Sequence, residues 1–276
     1  MSDPVPESAQ MPVVLVNFTH VYEQETFYLQ KPHVWIDCSD LSGVTGYCDA
    51  QAMRQIRNRL AAYHPCGVHF IDSGNFHYVS RFWVEKIRRD FVLVLFDNHT
   101  DMQPSRFGHI MSCGSWVRDV LDTNPRIQKV LILGAADANL ENLKEEVAGE
   151  PDYARRLVAF SHDALGQKRS WQELADEHHH LPVYISIDKD VLRSEDDVTD
   201  WNQGDMPLAV LKKFLDLLVT HHEIIGIDIC GECSRLCEKG LGAVRMNDSV
   251  NEQLLRFLNE RRPERQLRVR SDECSV

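Results

Sequence analysis

The chain has 276 residues, of which 43% are hydrophobic, and its 30 basic and 42 acidic side chains give a formal net charge of −12. This length and apolar content allow one large α/β domain or two small ones. The acidic balance makes nucleic acid and anionic membranes poor partners, and no apolar stretch approaches the length of a transmembrane helix.

Strands and helices are predicted to alternate along the chain. Apolar runs predict eight strands, at residues 11–18, 33–38, 67–71, 91–97, 129–134, 157–161, 183–188 and 224–229. Apolar side chains at three- and four-residue spacing predict helices at residues 50–63, 75–89, 113–122, 139–147, 170–178, 207–221 and 249–261. This alternation indicates a mostly parallel sheet covered by helices on both faces. No linker divides the chain, so we expect one α/β domain over residues 1–276, with residues 1–10 and 263–276 peripheral.

Potential metal ligands follow one of these buried strands at alternate positions. The apolar run FVLVLFD ends on Asp97, and His99 and Asp101 come directly after it. Side chains just past the end of a parallel strand point into the crevice where open α/β sheets bind ligands.

The same device recurs at other strand ends. The run YISIDKD places Asp188 and Asp190 after one strand, EIIGIDICGE places Asp228 and Glu232 after another, and His77 follows GVHFI and its turn. Any single Asp here is more often a turn former or a helix cap than a ligand. The repetition in order along the chain favours a metal site.

The predicted donors combine four carboxylates with two imidazoles: His77, Asp97, His99, Asp101, Asp188 and Asp190. This mixture of oxygen and nitrogen suits Mn²⁺ or a similar ion better than structural zinc. Two divalent ions that share carboxylates would neutralise the cluster and generate hydroxide at neutral pH. The sequence therefore predicts two Mn²⁺ ions per chain.

Other cysteine and histidine clusters have ordinary structural explanations. Cys230, Cys233 and Cys237 form a CxxCxxxC pattern, but no second pair completes a four-ligand zinc site. The polar first ten residues do not resemble a signal peptide, so we expect a cytoplasmic protein with thiols rather than disulfides. The clusters at residues 178–180 and 221–222 lie at predicted helix ends, where the helix dipole favours histidine.

The motifs resemble those of the arginase and agmatinase superfamily, the ureohydrolases. DNHTDM is similar to the family's DxHxD motif, SIDKD to the start of its SxDxD signature, and GNFHY more weakly to its Gly-Gly-Asp-His segment. The resemblance implies a three-layer α/β/α domain with an eight-stranded parallel sheet. It also implies that His77 and Asp101 bind one manganese and His99 and Asp190 the other, with Asp97 and Asp188 bridging.

The resemblance also implies catalytic roles. Hydroxide shared by the two ions would attack the central carbon, with Asp101 orienting it. Glu232 would hold the substrate cation, although it is shifted by one position from the family's spacing, and His109 would protonate the leaving amine. Departures from the pattern, among them Gln103 where arginases carry Asn, argue against arginine as the substrate.

We therefore expect a hydrolase of linear C–N bonds in a small cationic guanidino or amidino compound, and a homo-oligomeric state stays open. Two alternatives stay open. One is a non-catalytic ureohydrolase-like protein that binds metal or ligand and regulates a partner. The other is an amidohydrolase resembling the single-zinc deacetylases, which share this broad fold. The number of bound metal ions distinguishes these possibilities.

Overall fold

A computed structural model describes residues 11–105, 110–165 and 180–261. Its central sheet has eight parallel strands: β1 (Val13–Asn17), β2 (His33–Asp37), β4 (Val68–Ser73), β5 (Phe91–Phe96), β7 (Ile127–Ala135), β8 (Leu157–Ser161), β9 (Val183–Asp188) and β10 (Ile224–Glu232). Their spatial order across the sheet is β2-β1-β4-β10-β9-β5-β7-β8. The short strands β3 (Tyr47–Cys48) and β6 (Met111–Ser112) form a separate antiparallel pair. The prediction of an eight-stranded parallel sheet is confirmed.

Helices connect most of the strands. In the described residues they are Ala50–Leu60, Ser80–Val84, Trp116–Thr123, Asp137–Glu146, Pro151–Arg156, His162–Leu165, Leu208–His221 and Leu241–Arg261. The helix predicted at residues 75–89 is instead a 3-10 turn, Gly74–Val79, followed by the short helix Ser80–Val84. The last helix begins at Leu241 rather than at residue 249. The helix predicted at residues 170–178, like the predicted tail after residue 262, lies outside the described residues.

The sheet is covered on both faces, which gives the three-layer α/β/α architecture. Alternate residues of each central strand enter two separate hydrophobic clusters. Leu93 and Leu95 of β5 pack on the side of the helices Ala50–Leu60 and Trp116–Thr123. Their neighbours in β5 pack with the helices Leu208–His221 and Leu241–Arg261 on the other side. Burial of both faces explains why these strands are continuous apolar runs in the sequence. Within the described residues, no helix combines the length and the hydropathy needed to cross a bilayer.

The strand order positions the site. The strands β4, β10, β9 and β5 are consecutive neighbours at the centre of the sheet. Because all four are parallel, their carboxyl ends lie along one edge. The segments after β4, β5 and β9 carry the predicted metal ligands, so the topology brings these segments together.

Candidate metal centre

His77 lies on the 3-10 turn that follows β4. The turn is capped by Ser73, whose side chain accepts a hydrogen bond from the backbone N–H of Asn75. The imidazole is buried, and its Nδ1 atom lies 3.3 Å from Asp97 Oδ2, 3.1 Å from Asp101 Oδ2 and 3.5 Å from Asp188 Oδ2. One nitrogen thus faces three carboxylates that come from two other strand ends.

The segment after β5 supplies three of the predicted ligands. The backbone N–H of His99 donates to Asp97 Oδ1 over 2.6 Å, and His99 Nδ1 lies 3.0 Å from Asp190 Oδ2. Asp101 adopts a left-handed backbone conformation with φ of 50°, which is uncommon for a non-glycine residue. Trp116 Nε1 donates to Asp101 Oδ2 over 2.6 Å. The indole therefore fixes a carboxylate whose backbone is already constrained.

The segment after β9 supplies the remaining two carboxylates. The backbone N–H of Asp190 donates to Asp188 Oδ1 over 3.0 Å. The backbone N–H of Asn98 donates to Asp190 Oδ1 over 3.1 Å, which ties this segment to the one after β5. The other oxygen of each aspartate stays directed at a histidine.

The structure brings the six predicted ligands close together, and five of them fall in two overlapping donor sets. His77, Asp97 and Asp101 form one set, and Asp97, His99 and Asp190 form the other; within each set the ligand atoms lie within 4.8 Å of one another. Asp97 belongs to both sets. A shared carboxylate between two imidazole-containing sets fits a pair of ions with a bridging ligand.

The electrostatics of the cluster also fit divalent cations. Burial and the charge of Asp97 raise the pKa of Asp101 to about 6 and raise the pKa values of Asp188 and Asp190. Burial opposes the charged form of His99, but hydrogen bonds with Asp190 and Asp97 raise its pKa to about 12. Asp97 Oδ2 is buried and has no hydrogen-bond partner among the described residues. Buried carboxylates that repel one another, with an oxygen left over, are the donors expected for bound metal ions.

A cavity of about 270 Å³ opens onto the cluster. The lining comprises Gly46, Tyr47, Gly74, Asn75, His77, Asp97, His99, Asp101, Gln103, Ser112, Cys113, Gly114, Asp188, Asp190 and Trp201. Tyr47 and Trp201 are among the exposed large side chains of the molecule and stand at its mouth. Such a cavity admits a small molecule to the six predicted ligands.

Glu232 is not where the sequence led us to expect it. The expectation that it faces the cavity is wrong, because its side chain is fully buried and is absent from the described lining. Lys189 Nζ lies 2.5 Å from one carboxylate oxygen, and Asn247 and Asn251 donate to the carboxylate over 2.9 and 2.7 Å. Its charge is already satisfied inside the protein.

The remaining candidates are placed as follows. Asp228 is buried beneath the cluster and accepts a hydrogen bond from Ser186 Oγ over 2.6 Å. His109, the predicted proton donor, lies outside the described residues.

Cys230 is a residue that sequence analysis left out of the site: its Sγ lies 3.3 Å from Asp188 Oδ2. Its position at the end of a central strand could have indicated this contact. We instead interpreted Cys230 as part of the CxxCxxxC pattern and did not connect it with the predicted metal ligands.

Comparison with protein families gives a match to the Arginase family over residues 18–197. An uncharacterized protein of Thermotoga maritima is 30% identical over 218 residues, which are 79% of this chain and 78% of that protein. Residues 18–197, which the family model matches, contain all six predicted ligands.

Solved structures share the fold at low sequence identity. Proclavaminate amidino hydrolase from Streptomyces clavuligerus superposes with a TM-score of 0.65 at 12% identity, covering 92% of this chain and 94% of that one. Formimidoylglutamase from Bacillus subtilis gives 0.65 at 13%, covering 95% and 94%. Agmatine ureohydrolase of Thermoplasma volcanium gives 0.63 at 14%, covering 93% and 92%.

Proposed function

The chain belongs to the arginase family, and from this we propose that it is a metal-dependent hydrolase of a linear C–N bond in a small guanidino or amidino compound. The proposal rests on one observation: four carboxylates and two imidazoles cluster together and line one cavity. The names of three proteins with this fold, an amidino hydrolase, a formimidoylglutamase and an agmatine ureohydrolase, describe substrates of this chemical class.

We assign six residues to two manganese ions. His77 and Asp101 would hold one ion, and His99 and Asp190 would hold the other. Asp97 and Asp188 would be shared by both ions; the membership of Asp97 in both donor sets supports this arrangement. When bound, the ions would supply a hydroxide nucleophile at neutral pH.

The chain's own residues then bind and orient the reactants. Asp101 is held by Trp116 and lines the cavity, so its carboxylate is positioned to orient the attacking oxygen. His109 remains our candidate for protonating the leaving amine. Glu232 takes no part in substrate binding, because Lys189 and two asparagines occupy its carboxylate.

The cationic end of the substrate meets aromatic side chains at the mouth of the cavity. Trp201 and Tyr47 both line it, and the faces of aromatic rings attract cations. The uncharged polar side chains of Asn75 and Gln103 also line the cavity and are available for hydrogen bonds. The site thus combines aromatic rings at its entrance with a cluster of carboxylates, and metal ions would neutralise the negative charge of that cluster.

An activity panel with metal analysis tests the proposal. Manganese-loaded protein is incubated with guanidino, amidino and formimidoyl compounds, and release of urea, ammonia or formamide is measured. We expect turnover of at least one compound with close to two ions per chain, and loss of turnover in Asp97→Asn. Two bound ions without turnover across the panel would instead favour a regulatory protein. An acetylated amine added to the panel, together with metal analysis of the protein as purified, tests the single-metal alternative: one bound zinc with release of acetate would favour it.

A further inference from the structure

Cys230 places a thiol against the metal cluster. Its Sγ lies 3.3 Å from Asp188 Oδ2. The sulfur, an Asp188 oxygen and a His77 ring nitrogen all lie within 4.8 Å of one another. All three residues are buried. This forms a third donor set, which shares His77 with one of the two sets assigned above.

The backbone geometry places this thiol close to Asp188. Cys230 is the direct register partner of Asp188 between β10 and β9. The next residue, Gly231, has φ of +98°, and a Cβ there would lie 2.3 Å from Asp188 Oδ1. A Cβ on Gly74, on the other side, would lie 2.9 Å from Asp188 Oδ2. Two glycines therefore permit the close approach of backbone and carboxylate around the sulfur.

A second observation points to a cation in the same space. Asp97 is 1% exposed, and its Oδ2 has no hydrogen-bond partner among the described residues. This oxygen lies 3.3 Å from the same His77 Nδ1 that Asp188 Oδ2 faces at 3.5 Å. An orphaned buried carboxylate oxygen, and an Asp188 oxygen that contacts the thiol, thus both face one imidazole nitrogen.

We propose that Cys230 supplies a sulfur ligand to the metal ion held by His77 and Asp188. The inference rests on the proposed metal centre and refines it at one of the two sites. Thiolate is a soft ligand, and it favours Fe²⁺, Co²⁺ or Zn²⁺ over Mn²⁺. This replaces the manganese assigned above at the His77 site by a softer ion, whereas the site of His99 and Asp190 keeps only oxygen and nitrogen ligands and stays assigned to manganese. Binding through sulfur releases the thiol proton to solvent.

Cobalt substitution tests the inference with a spectroscopic signal. Metal-free full-length protein is titrated with Co²⁺, and we expect a near-ultraviolet sulfur-to-cobalt charge-transfer band that grows with the bound ion. Cys230→Ser removes the band and lowers the ratio of Zn²⁺ to Mn²⁺ affinity at least about tenfold. Cys113→Ser is the matched control, because Cys113 also lines the cavity but belongs to none of the three donor sets. This variant keeps the band.

The outcomes separate the inference from the proposed function. Cobalt that binds without the band overturns the sulfur ligand and leaves the metal centre intact, whereas no cobalt binding overturns both. A band lost in Cys113→Ser and kept in Cys230→Ser also overturns the assignment. Cadmium-113 NMR of the unmutated protein needs no variant to fold. A bound-cadmium resonance shifted downfield by sulfur supports the inference, and resonances typical of oxygen and nitrogen ligands alone contradict it.

Discussion

Lys189 and Glu232 form a fully buried ion pair next to the cluster of candidate metal ligands, with Nζ 2.5 Å from Oε1. Lys189 stands in sequence between Asp188 and Asp190, so one short segment sends two carboxylates to the cavity and an ammonium to the opposite side. Asp197 Oδ2 also lies 3.3 Å from Nζ. Burial would lower the pKa of Lys189, but the two neighbouring carboxylates raise it above its ordinary value. The ammonium is therefore charged and anchors the ligand segment.

Removal of this ammonium should destabilise the fold. Lys189→Met leaves the carboxylates of Glu232 and Asp197 buried without their cation, which costs about 3–5 kcal/mol. Urea unfolding of the metal-free protein measures the loss, and Lys144→Met is the control because Lys144 forms only an exposed pair. Glu232→Gln should lower stability too, whereas a residue that only held substrate would not. Equal unfolding midpoints for Lys189→Met and the unmutated protein would contradict this account of the pair.

Much of the fold and the six clustered residues could be predicted from sequence for one physical reason. Strands buried on both faces are continuous apolar runs, so their ends are visible, and polar residues there lie at one edge of a parallel sheet. Asp97 and Asp188 are therefore conspicuous in the sequence. His77 was found in the same way, from its position after the strand GVHFI and its turn, although periodicity predicted a helix where the structure has a 3-10 turn.

The misplacement of Glu232 has an equally physical cause. Because both faces of β10 are buried, the alternation of side chains does not show which face holds the cavity. The partners of Glu232 are Lys189 and two asparagines on the last helix, Asn247 and Asn251. These contacts are long-range, and no local pattern encodes them. Cys230 was missed for the same reason, since its neighbour Asp188 comes from another strand.

Asp97 should control the binding of both ions, because it belongs to both donor sets. Asp97→Asn keeps the size of the side chain but removes its charge, so the affinity for each of the two ions should fall, by about 10-fold or more. Calorimetric titration of metal-free protein measures both affinities. Asp163→Asn is the control, since the Asp163 side chain is 94% exposed. Loss of one ion with the other retained at full affinity would show that Asp97 does not bridge.

Ser186 should affect one ion selectively. His77 Nε2 lies 2.9 Å from Ser186 Oγ, and Ser186 Oγ donates to Asp228 Oδ1, so the serine accepts the Nε2 proton. Nδ1 is then the ring nitrogen that faces the carboxylates and would bind a metal ion. Ser186→Ala should weaken the ion at His77 by about 10–100-fold, with a smaller change at the other ion.

The same titration applied to Ser186→Ala and to the exposed control Ser249→Ala checks this prediction. Unchanged affinities for both ions in Ser186→Ala would show that the serine does not orient the histidine. Equal weakening of both ions would indicate a general loss of structure, which circular dichroism of the metal-free variant detects independently.

His69 should make the fold sensitive to acid. It is fully buried and stacks on Trp83 with ring centroids 4.0 Å apart, and burial lowers its pKa to about 3. Between about pH 3 and pH 6.5 the unfolded chain binds a proton at this histidine that the folded chain does not. Stability is therefore lost as the pH falls below 6.5, by about 1.4 kcal/mol per pH unit.

His69→Phe removes this titration and keeps an aromatic ring beside Trp83. Its free energy of unfolding should fall less than that of the unmutated protein between pH 7 and pH 5, when both are measured in urea with a metal chelator present. The exposed His221 provides the control, because His221→Phe should retain the original dependence. If the His69 variant lost as much stability over this interval as the unmutated protein, the buried histidine would not be the source.

Trp201 should determine how strongly a cationic substrate binds. Its ring lies 5.5 Å from that of His99 in an edge-on arrangement and packs over Gly74, where an added Cβ would come 3.1 Å from Trp201 Cδ1. The indole is thus a fixed wall of the cavity above the cluster, and 39% of the residue remains exposed. A cation over an indole gains about 0.5–2 kcal/mol, which corresponds to about 2- to 30-fold in affinity.

Trp201→Ala should therefore raise KM for a guanidinium or amidinium substrate by about 2- to 30-fold, with both metal ions retained and a smaller change in kcat. Trp201→Phe keeps a weaker π face, so its KM should lie between those of the unmutated protein and Trp201→Ala. Trp201→Leu, a bulky aliphatic replacement, should have a KM similar to that of Trp201→Ala. Comparing the KM values of the phenylalanine and leucine variants separates attraction of the cation by the aromatic ring from the effect of side-chain size alone. Equal KM values for these two variants would exclude a cation–π contact at Trp201.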